Sequence, residues 1–451
     1  MEFSNKNVLV LGAGVSGRSV AEVLASYGAK VTLNDSNKID DSKEEFQKLK
    51  SLAVNIVAGS QDESLLQSMD YIVVSPGISI ELPLIATARS KGIVVMSEIE
   101  AAYALCQAPI IAITGTNGKT TTTALTGEMM KASGKNTVVG GNIGAALSQE
   151  VNGISRDSVV VAEISSFQLE GIIHFRPHIA VVLNLTPDHM DRHHTMEGYQ
   201  AAKERIFENQ RKDDFLVLNY DDTIVQTMAA RSISQTVFFS TKRELENGGC
   251  VKDDQIVINW QGKRNIICPV KDMKLFGKHN LENALAACCA AFLAGVSPAV
   301  MAEVLRNFAG VEHRIEPVAT INGVSYYNDS KATNPESTVK ALEAFAGNII
   351  LIAGGRDKNT DLTEVMTLAK NKVDHLILLG EAKTRFIEAA KQHGVHNIHD
   401  ISSFQEAITL AHRLARSPQV VLLSPACASY DMFNNYEERG RVFKELVHCL
   451  A

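Results

Sequence analysis

The segment Gly115-Thr116-Asn117-Gly118-Lys119-Thr120 follows an apolar run, Pro109-Ile110-Ile111-Ala112-Ile113. Small residues in such a turn let backbone N–H groups face phosphate oxygens, a lysine can reach the terminal phosphates, and a threonine hydroxyl can hold Mg2+. The position five before Gly118 is Ile113, so the loop keeps the G-K-T end of a phosphate loop without its first glycine. The predicted chemistry is triphosphate binding at a strand-to-helix turn. Such a site needs hard oxygen ligands, and Glu163 closes the apolar run Val160-Val161-Ala162. A carboxylate there is costly without a partner, and it reads as a Mg2+ ligand in preference to one half of a structural salt bridge.

Other segments allow more than one reading. Thr186-Pro187-Asp188-His189-Met190-Asp191-Arg192-His193-His194 places three histidines within six residues. That pattern fits a metal or a polar loop equally and matches no zinc spacing. Lys203 falls on an amphipathic helix, where residue type and spacing do not separate it from a solvated lysine. Asn280 and Asn283 open an Ala-rich helix, and cap or first-turn roles explain them.

A second glycine turn, Gly12-Ala13-Gly14-Val15-Ser16-Gly17, follows Val8–Leu11, and Asp35 ends a second strand-like run 18 positions after Gly17. This is the pattern of a diphosphate-binding turn, and taken alone it suggests NAD. A nicotinamide reading leaves the G-K-T loop and Glu163 without a task. Ser75-Pro76-Gly77 adds a turn after Tyr71–Val74. Toward the C-terminus, Asn328-Asp329-Ser330-Lys331-Ala332-Thr333-Asn334-Pro335, Gly354-Gly355-Arg356-Asp357-Lys358 and Ser424-Pro425-Ala426-Cys427-Ala428-Ser429-Tyr430-Asp431 each follow a strand-like run. Tyr436 and Arg439 lie just downstream. Several polar turns at strand ends of one sheet predict a ligand site.

The elements that must hold these turns are strands alternating with helices, in three α/β units with expected spans 1–98, 99–311 and 312–451. In the first unit the expected strands are 8–11, 30–34, 71–74 and 93–96, with a helix over 18–27 stopped by Gly28. The second has strands near 109–113, 158–163 and 179–184, a turn-rich stretch from about 213 to 274 containing Gly248-Gly249, and a helix over 280–294. The third has strands at 323–327, 348–352, 375–379 and 419–423.

A chain of 451 residues with 45% hydrophobic and 21% charged residues is ordinary globular composition, which excludes disordered and fibrous classes. A net charge of −7 argues against a nucleic-acid coat protein. The seven cysteines show no C-x-x-C spacing and read as reduced thiols of a cytoplasmic protein. No secretion signal is read at the N-terminus, and the longest apolar stretch, 284–296, is shorter than the roughly 20 residues of a membrane span.

Taken together, GTNGKT, NDSKATN from Asn328 to Asn334, and SPACASYDMFNNYEERG from Ser424 to Gly440 resemble the Mur ligase family across essentially the whole chain. The resemblance implies a Rossmann-like N-terminal domain for a UDP-sugar, a central P-loop ATPase domain and a Rossmann-like C-terminal domain for the incoming amino acid. It implies ATP-dependent addition of D-glutamate to UDP-N-acetylmuramoyl-L-alanine through an acyl phosphate, with two Mg2+ ions, by a cytoplasmic monomer without nucleic-acid partners.

Carried over by position, the resemblance assigns Gly115, Thr116, Asn117, Gly118, Lys119, Thr120, Thr121, Asn280, Asn283, Arg314 and Asp329 to ATP. Gly14, Val15, Ser16, Asp35, Ser75, Gly77, Asn142 and Ser165 fall to the UDP-substrate, and Lys331, Thr333, Lys358, Ser429 and Tyr436 to D-glutamate. Thr120, Glu163, His189 and a carbamylated Lys203 become the metal groups, while Lys119, His189, Lys203 and Asp329 carry the catalytic assignment. Tyr430, Tyr436 and the pair His193-His194 depart from the family's usual residues.

Overall fold

Residues Asn7–Leu11 (NVLVL) are apolar at nearly every position, as a strand covered on both faces must be, and they lie at the centre of a parallel sheet. The computed structural model describes residues 1–142, 145–275, 277–357 and 360–450. Among these residues the chain forms three sheets.

The first sheet has five parallel strands in the order Asn55–Ala58, Lys30–Asp35, Asn7–Leu11, Tyr71–Val74 and Val94–Ser97. The strand order reverses beside Asn7–Leu11, so the turns after that strand and after Tyr71–Val74 share one edge, where open α/β sheets bind ligands. The helix expected from Arg18 begins at Val15, directly behind its N-cap Gly14, and ends at Ser26. Gly28 closes it in the left-handed region at φ +82°. The strand Asn55–Ala58 was not expected: its apolar run, Ile56-Val57-Ala58, is only three residues long, and none of the four residues is buried.

The second sheet runs Lys263–Pro269, Gln255–Trp260, Gly248–Lys252, Gln235–Ser240, Phe215–Asn219, Ile179–Val182, Ile110–Thr114, Val159–Glu163 and Thr137–Gly141. Ile110–Thr114 is buried throughout and pairs in parallel with Val159–Glu163 and Ile179–Val182, so Gly115, Glu163 and Asn184 emerge at one end of three adjacent strands. The stretch from 213 to 274, expected to be turn-rich, contributes five strands. Asp253 and Asp254 both have positive φ, at 49° and 56°, and join two antiparallel strands as a tight hairpin. Gly249 sits inside a strand rather than in a turn, and it is the close approach of Cys289 Sγ, 2.6 Å from where a Cβ would lie, that favours glycine there.

The third sheet runs Glu316–Ile321, Val324–Asn328, Val420–Leu423, Ile349–Gly354, Val373–Leu379 and Ile398–Asp400. Its two edge strands, Glu316–Ile321 and Ile398–Asp400, escaped the sequence reading because they are short or half-exposed and break apolar alternation. The central four are parallel, and the middle pair, Val420–Leu423 and Ile349–Gly354, is nearly continuous in Val, Ile and Leu.

By compactness the chain divides into two units, one of Met1–Met273 with Leu281–Asn307 and one of Lys274–Asn280 with Phe308–Ala451. The first unit contains both the five-stranded and the nine-stranded sheet. All seven cysteines are free thiols, five of them buried. Among the described residues no helix is long and apolar enough to cross a membrane.

Candidate active site

The loop after Ile110–Thr114 depends on glycine twice. Gly115 has φ +153° and a Cβ there would lie 2.9 Å from Leu183 Cβ. Gly118 has φ +83° and a Cβ would lie 2.2 Å from Asn283 Oδ1. Helix Lys119–Ala132 starts directly behind Gly118 with no acidic residue in its first turn, so its free N–H groups and dipole favour an anion. Thr120 is half-buried there and Thr121 is buried.

Lys119 Nζ folds back onto the carbonyls of Gly115 and Thr116 at 2.9 and 2.7 Å. Asn184 clamps the loop: its Oδ1 accepts the Asn117 N–H at 2.8 Å, its Nδ2 donates to the Asn117 carbonyl at 3.1 Å, and its own carbonyl accepts the Thr116 N–H. Sequence reasoning treated Asn184 as the end of a strand. The available signal was an amide side chain closing an apolar run beside the central strand.

Glu163 is 2% exposed. Asn142 Nδ2 donates to its Oε1 at 2.8 Å, while Oε2 has no partner among the described residues. A buried carboxylate oxygen left open is expensive, and a cation of hard oxygen preference is what such a group fits. Ser165, two residues on, caps helix Ser166–Leu169 through its hydroxyl in a reciprocal capping box with Gln168.

Lys203 corrects the reading of it as indistinguishable from a solvated lysine. Its helix, Met196–Glu204, turns Tyr199, Ala202 and Lys203 inward, and Lys203 is 1% exposed. Its Nζ donates to the Gly115 carbonyl at 2.9 Å and lies 4.6 Å from the Tyr199 ring centroid. The Tyr199 hydroxyl lies 3.3 Å from Thr116 Oγ1. Burial, then the neighbouring Lys119 charge, holds the Lys203 amine well below the usual lysine range; Asp188 and Glu163 oppose this.

The three histidines separate. His189 caps helix Met190–His193 in a left-handed conformation, with its side chain about half exposed and its ring 4.7 Å from that of Phe167. His193 is buried and its Nε2 lies 2.9 Å from Ser166 Oγ. His194 is exposed near Glu81. Among the described residues, a cluster of three side chains spaced for a metal occurs elsewhere, at Glu312, His313 and Glu316. There Lys444 already bridges both carboxylates, at 2.6 and 3.0 Å.

In the first sheet, Gly12 at φ +95° and Gly17, whose Cβ would lie 1.8 Å from the Gly12 carbonyl, allow the turn into helix Val15–Ser26. Gly14 is the N-cap, Val15 is exposed and Ser16 half-buried, and the first turn has no acidic residue. Asp35 accepts the Ala13 N–H at 2.8 Å and the Asn37 N–H at 2.9 Å, so it fixes this turn. Ser75 Oγ donates to the Gly12 carbonyl at 3.0 Å and Gly77 is exposed beside it.

In the second unit, Asp329 is buried; it accepts Ser424 Oγ at 2.7 Å and the Ile315 N–H at 3.2 Å. Burial raises its pKa to about 6 against the pull of Arg314. Lys331 Nζ lies 5.5 Å from the Tyr436 ring centroid, and the Thr333 N–H donates to the Lys331 carbonyl. Ser429 is buried, and its carbonyl receives the Met432 and Phe433 N–H groups. Arg439, noted in the sequence without a role, is buried and joins the two motif turns. It donates to Ser330 Oγ and the Ser330 carbonyl at 2.9 and 2.8 Å and to the Cys427 carbonyl at 3.1 Å. Burial lowers its pKa to about 10. Asn280 falls in this unit and Asn283 in the first. Lys358 lies outside the described residues.

Each sheet coincides with a family description: Mur ligase MurD-like, N-terminal domain, over residues 6–97; Mur ligase middle domain over 113–291; and Mur ligase, glutamate ligase domain, over 313–427. A relative from Pelotomaculum thermopropionicum named UDP-N-acetylmuramoylalanine--D-glutamate ligase is 47% identical over 449 residues, covering 100% of this chain and 99% of the relative. One of the same name from Thermoanaerobacter sp. strain X514 is 46% identical, covering 99% of each. Among solved structures, UDP-N-acetylmuramate-alanine ligase from Thermotoga maritima shares the fold with a TM-score of 0.62 at 19% identity, covering 99% of this chain and 100% of that one.

Proposed function

We infer the reaction from one premise: this chain belongs to the Mur ligase family, with its three-domain α/β architecture. It is an ATP-dependent ligase that joins D-glutamate to UDP-N-acetylmuramoyl-L-alanine in peptidoglycan precursor synthesis. The L-alanyl carboxylate attacks the γ-phosphorus of ATP, giving an acyl phosphate and ADP. The D-glutamate amine then attacks the acyl carbon, the C–O bond to phosphate breaks, and the amine proton passes to water or to a group near Asp329.

The observation that carries this reading is the buried Glu163 carboxylate with one oxygen unsatisfied, at the end of the strand beside the Lys119 loop. Thr120, Glu163, His189 and Lys203 as a carbamate are the residues that would hold Mg2+, two ions in this reading. Bound there, the metal neutralises charge on the transferring phosphoryl group. Asn142 orients Glu163, and Lys119 exchanges its loop carbonyls for phosphate oxygens. No enzyme nucleophile is needed, so His189 serves as a ligand rather than a base.

The nucleotide is assigned to residues 115–121, Asn280, Asn283, Arg314 and Asp329. The UDP-sugar is assigned to Gly14, Val15, Ser16, Asp35, Ser75, Gly77, Asn142 and Ser165. D-Glutamate is assigned to Lys331, Thr333, Lys358, Ser429 and Tyr436, where two lysines suit a dicarboxylate. The three roles divide over residues 1–98, 99–311 and 312–451 of a cytoplasmic monomer.

Phosphate release with ATP, Mg2+ and UDP-N-acetylmuramoyl-L-alanine tests the reading. Release that depends on D-glutamate and not L-glutamate is expected; no release with D-glutamate overturns it.

A further inference from the structure

We propose that Arg192 is a positioning residue that couples the Ser75–Ile78 turn to the placement of His189. This rests on the reading above, in which that turn meets the UDP-substrate and His189 belongs to the metal group.

Arg192 lies three residues after His189 on the short helix Met190–His193. Its guanidinium reaches three separate elements. Toward the first sheet, Nη2 donates to the Ile78 carbonyl at 3.0 Å and Nη1 to the Pro76 carbonyl at 3.4 Å. Toward the helix that follows Glu163, Nη2 and Nε donate to the Glu170 carboxylate at 2.5 and 3.3 Å, and the guanidinium carbon lies 4.5 Å from the Phe167 ring centroid. Phe167 in turn meets His189 edge-on at 4.7 Å and stacks on His193 at 5.5 Å. His193 closes the network through Ser166 Oγ, at 2.9 Å.

The Arg192 side chain is 15% exposed and that of Glu170 11%, so the pair is largely out of water and breaking it leaves an uncompensated charge. A guanidinium carries its donors in one rigid plane, so a shift of the Pro76 and Ile78 carbonyls is passed to Phe167 and Glu170 rather than absorbed by a flexing amine. Phe167 then changes the surface on which the His189 ring rests. Nε, Nη1 and Nη2 all meet protein acceptors, so the side chain is already occupied as a linker.

The chemistry gives such a linker a use. The carboxylate to be phosphorylated belongs to the ligand whose UDP end sits at the turn. A metal group that settles only when the turn is filled keeps ATP from being hydrolysed by water in the ligand's absence.

Calorimetric titration of UDP-N-acetylmuramoyl-L-alanine, with and without Mg2+ plus a non-hydrolysable ATP analogue, reads the coupling as a ratio of two dissociation constants. Wild type is expected to show a ratio of roughly 5-fold or more, the range of ordinary coupling between sites. Arg192→Met brings it to near one, while each ligand alone binds within about threefold of wild type, which a merely structural defect would not do. Arg192→Lys keeps the charge without the fork and recovers only part of the ratio. Glu170→Gln, which leaves the carbonyl contacts in place, also lowers it and carries the test if the methionine variant does not fold. A wild-type ratio of one, or a wild-type ratio retained in the folded variants, overturns the proposal. No binding of the UDP-substrate to wild type overturns the functional reading itself, and the proposal with it.

Discussion

The amines of Lys119 and Lys203 share one acceptor, each donating to the Gly115 carbonyl at 2.9 Å. Burial is the larger cost of charging Lys203, and repulsion between two ammonium groups so placed adds to it. A lysine amine attacks CO2 in its uncharged form, which both effects favour: in the proposed reading the new N–C bond forms, one proton is released, and the resulting carbamate anion would face Lys119 as a partner. The same geometry that depresses the lysine is what the proposed carbamate ligand would need.

Lys203→Ala is expected to lower the phosphate-release rate by roughly 100-fold, the scale of losing a group that holds a metal in place. Millimolar formate or acetate should restore part of it by supplying the missing carboxylate. A 13C carbamate resonance after incubation with labelled bicarbonate checks the chemistry directly. A variant with wild-type activity would remove Lys203 from the site.

Glu163→Gln keeps the side chain's shape and its contact with Asn142 but removes the charge. The Mg2+ concentration for half-maximal rate should rise by about 10- to 100-fold, with part of the rate recovered at high Mg2+. An unchanged Mg2+ titration would show that the open oxygen serves another purpose.

Arg439→Met leaves the Ser330 and Cys427 carbonyls without their buried donor, at about 1–3 kcal/mol each. Both carbonyls sit in turns that present Lys331 and Ser429. KM for D-glutamate should rise at least about tenfold, roughly 1.4 kcal/mol of binding. KM for UDP-N-acetylmuramoyl-L-alanine should stay near wild type, and steady-state kinetics with each substrate varied separates the two.

Asp329 titrates near 6 when folded, chiefly because it is buried, against an ordinary 3.8. The folded state binds the proton more tightly, so this group's contribution to stability is full below the ordinary value and is lost as pH rises through about 6. The amide introduced by Asp329→Asn does not titrate. Between about pH 4.5 and 7.5 that variant should therefore gain about 2 kcal/mol of stability relative to wild type, measured by urea denaturation at each pH. A constant difference would place the Asp329 pKa in its ordinary range.

Much of the fold was legible because parallel strands covered on both faces must be apolar along their length. Asn7–Leu11, Ile110–Thr114, Val159–Glu163 and Ile349–Gly354 announce themselves in this way. Half-covered edge strands such as Asn55–Ala58 and Ile398–Asp400 do not, and the hairpins after residue 247 were hidden by the Gly and Asp residues that build them.

The chain by itself determined the local chemistry. The glycines at 115 and 118, the lysine behind them and the acid closing the next strand are set by spacing along a few residues, because turn geometry and helix starts are local. Tertiary structure decided which polar groups act together. Lys203 meets a carbonyl 88 residues away, Asn184 clamps a loop 67 residues away, and Arg439 joins turns 109 and 12 residues away. Burial and electrostatic coupling arise only when sheets and helices close over such groups, so a lysine that reads as solvent-exposed in the sequence becomes, in the folded chain, a buried amine beside a phosphate loop.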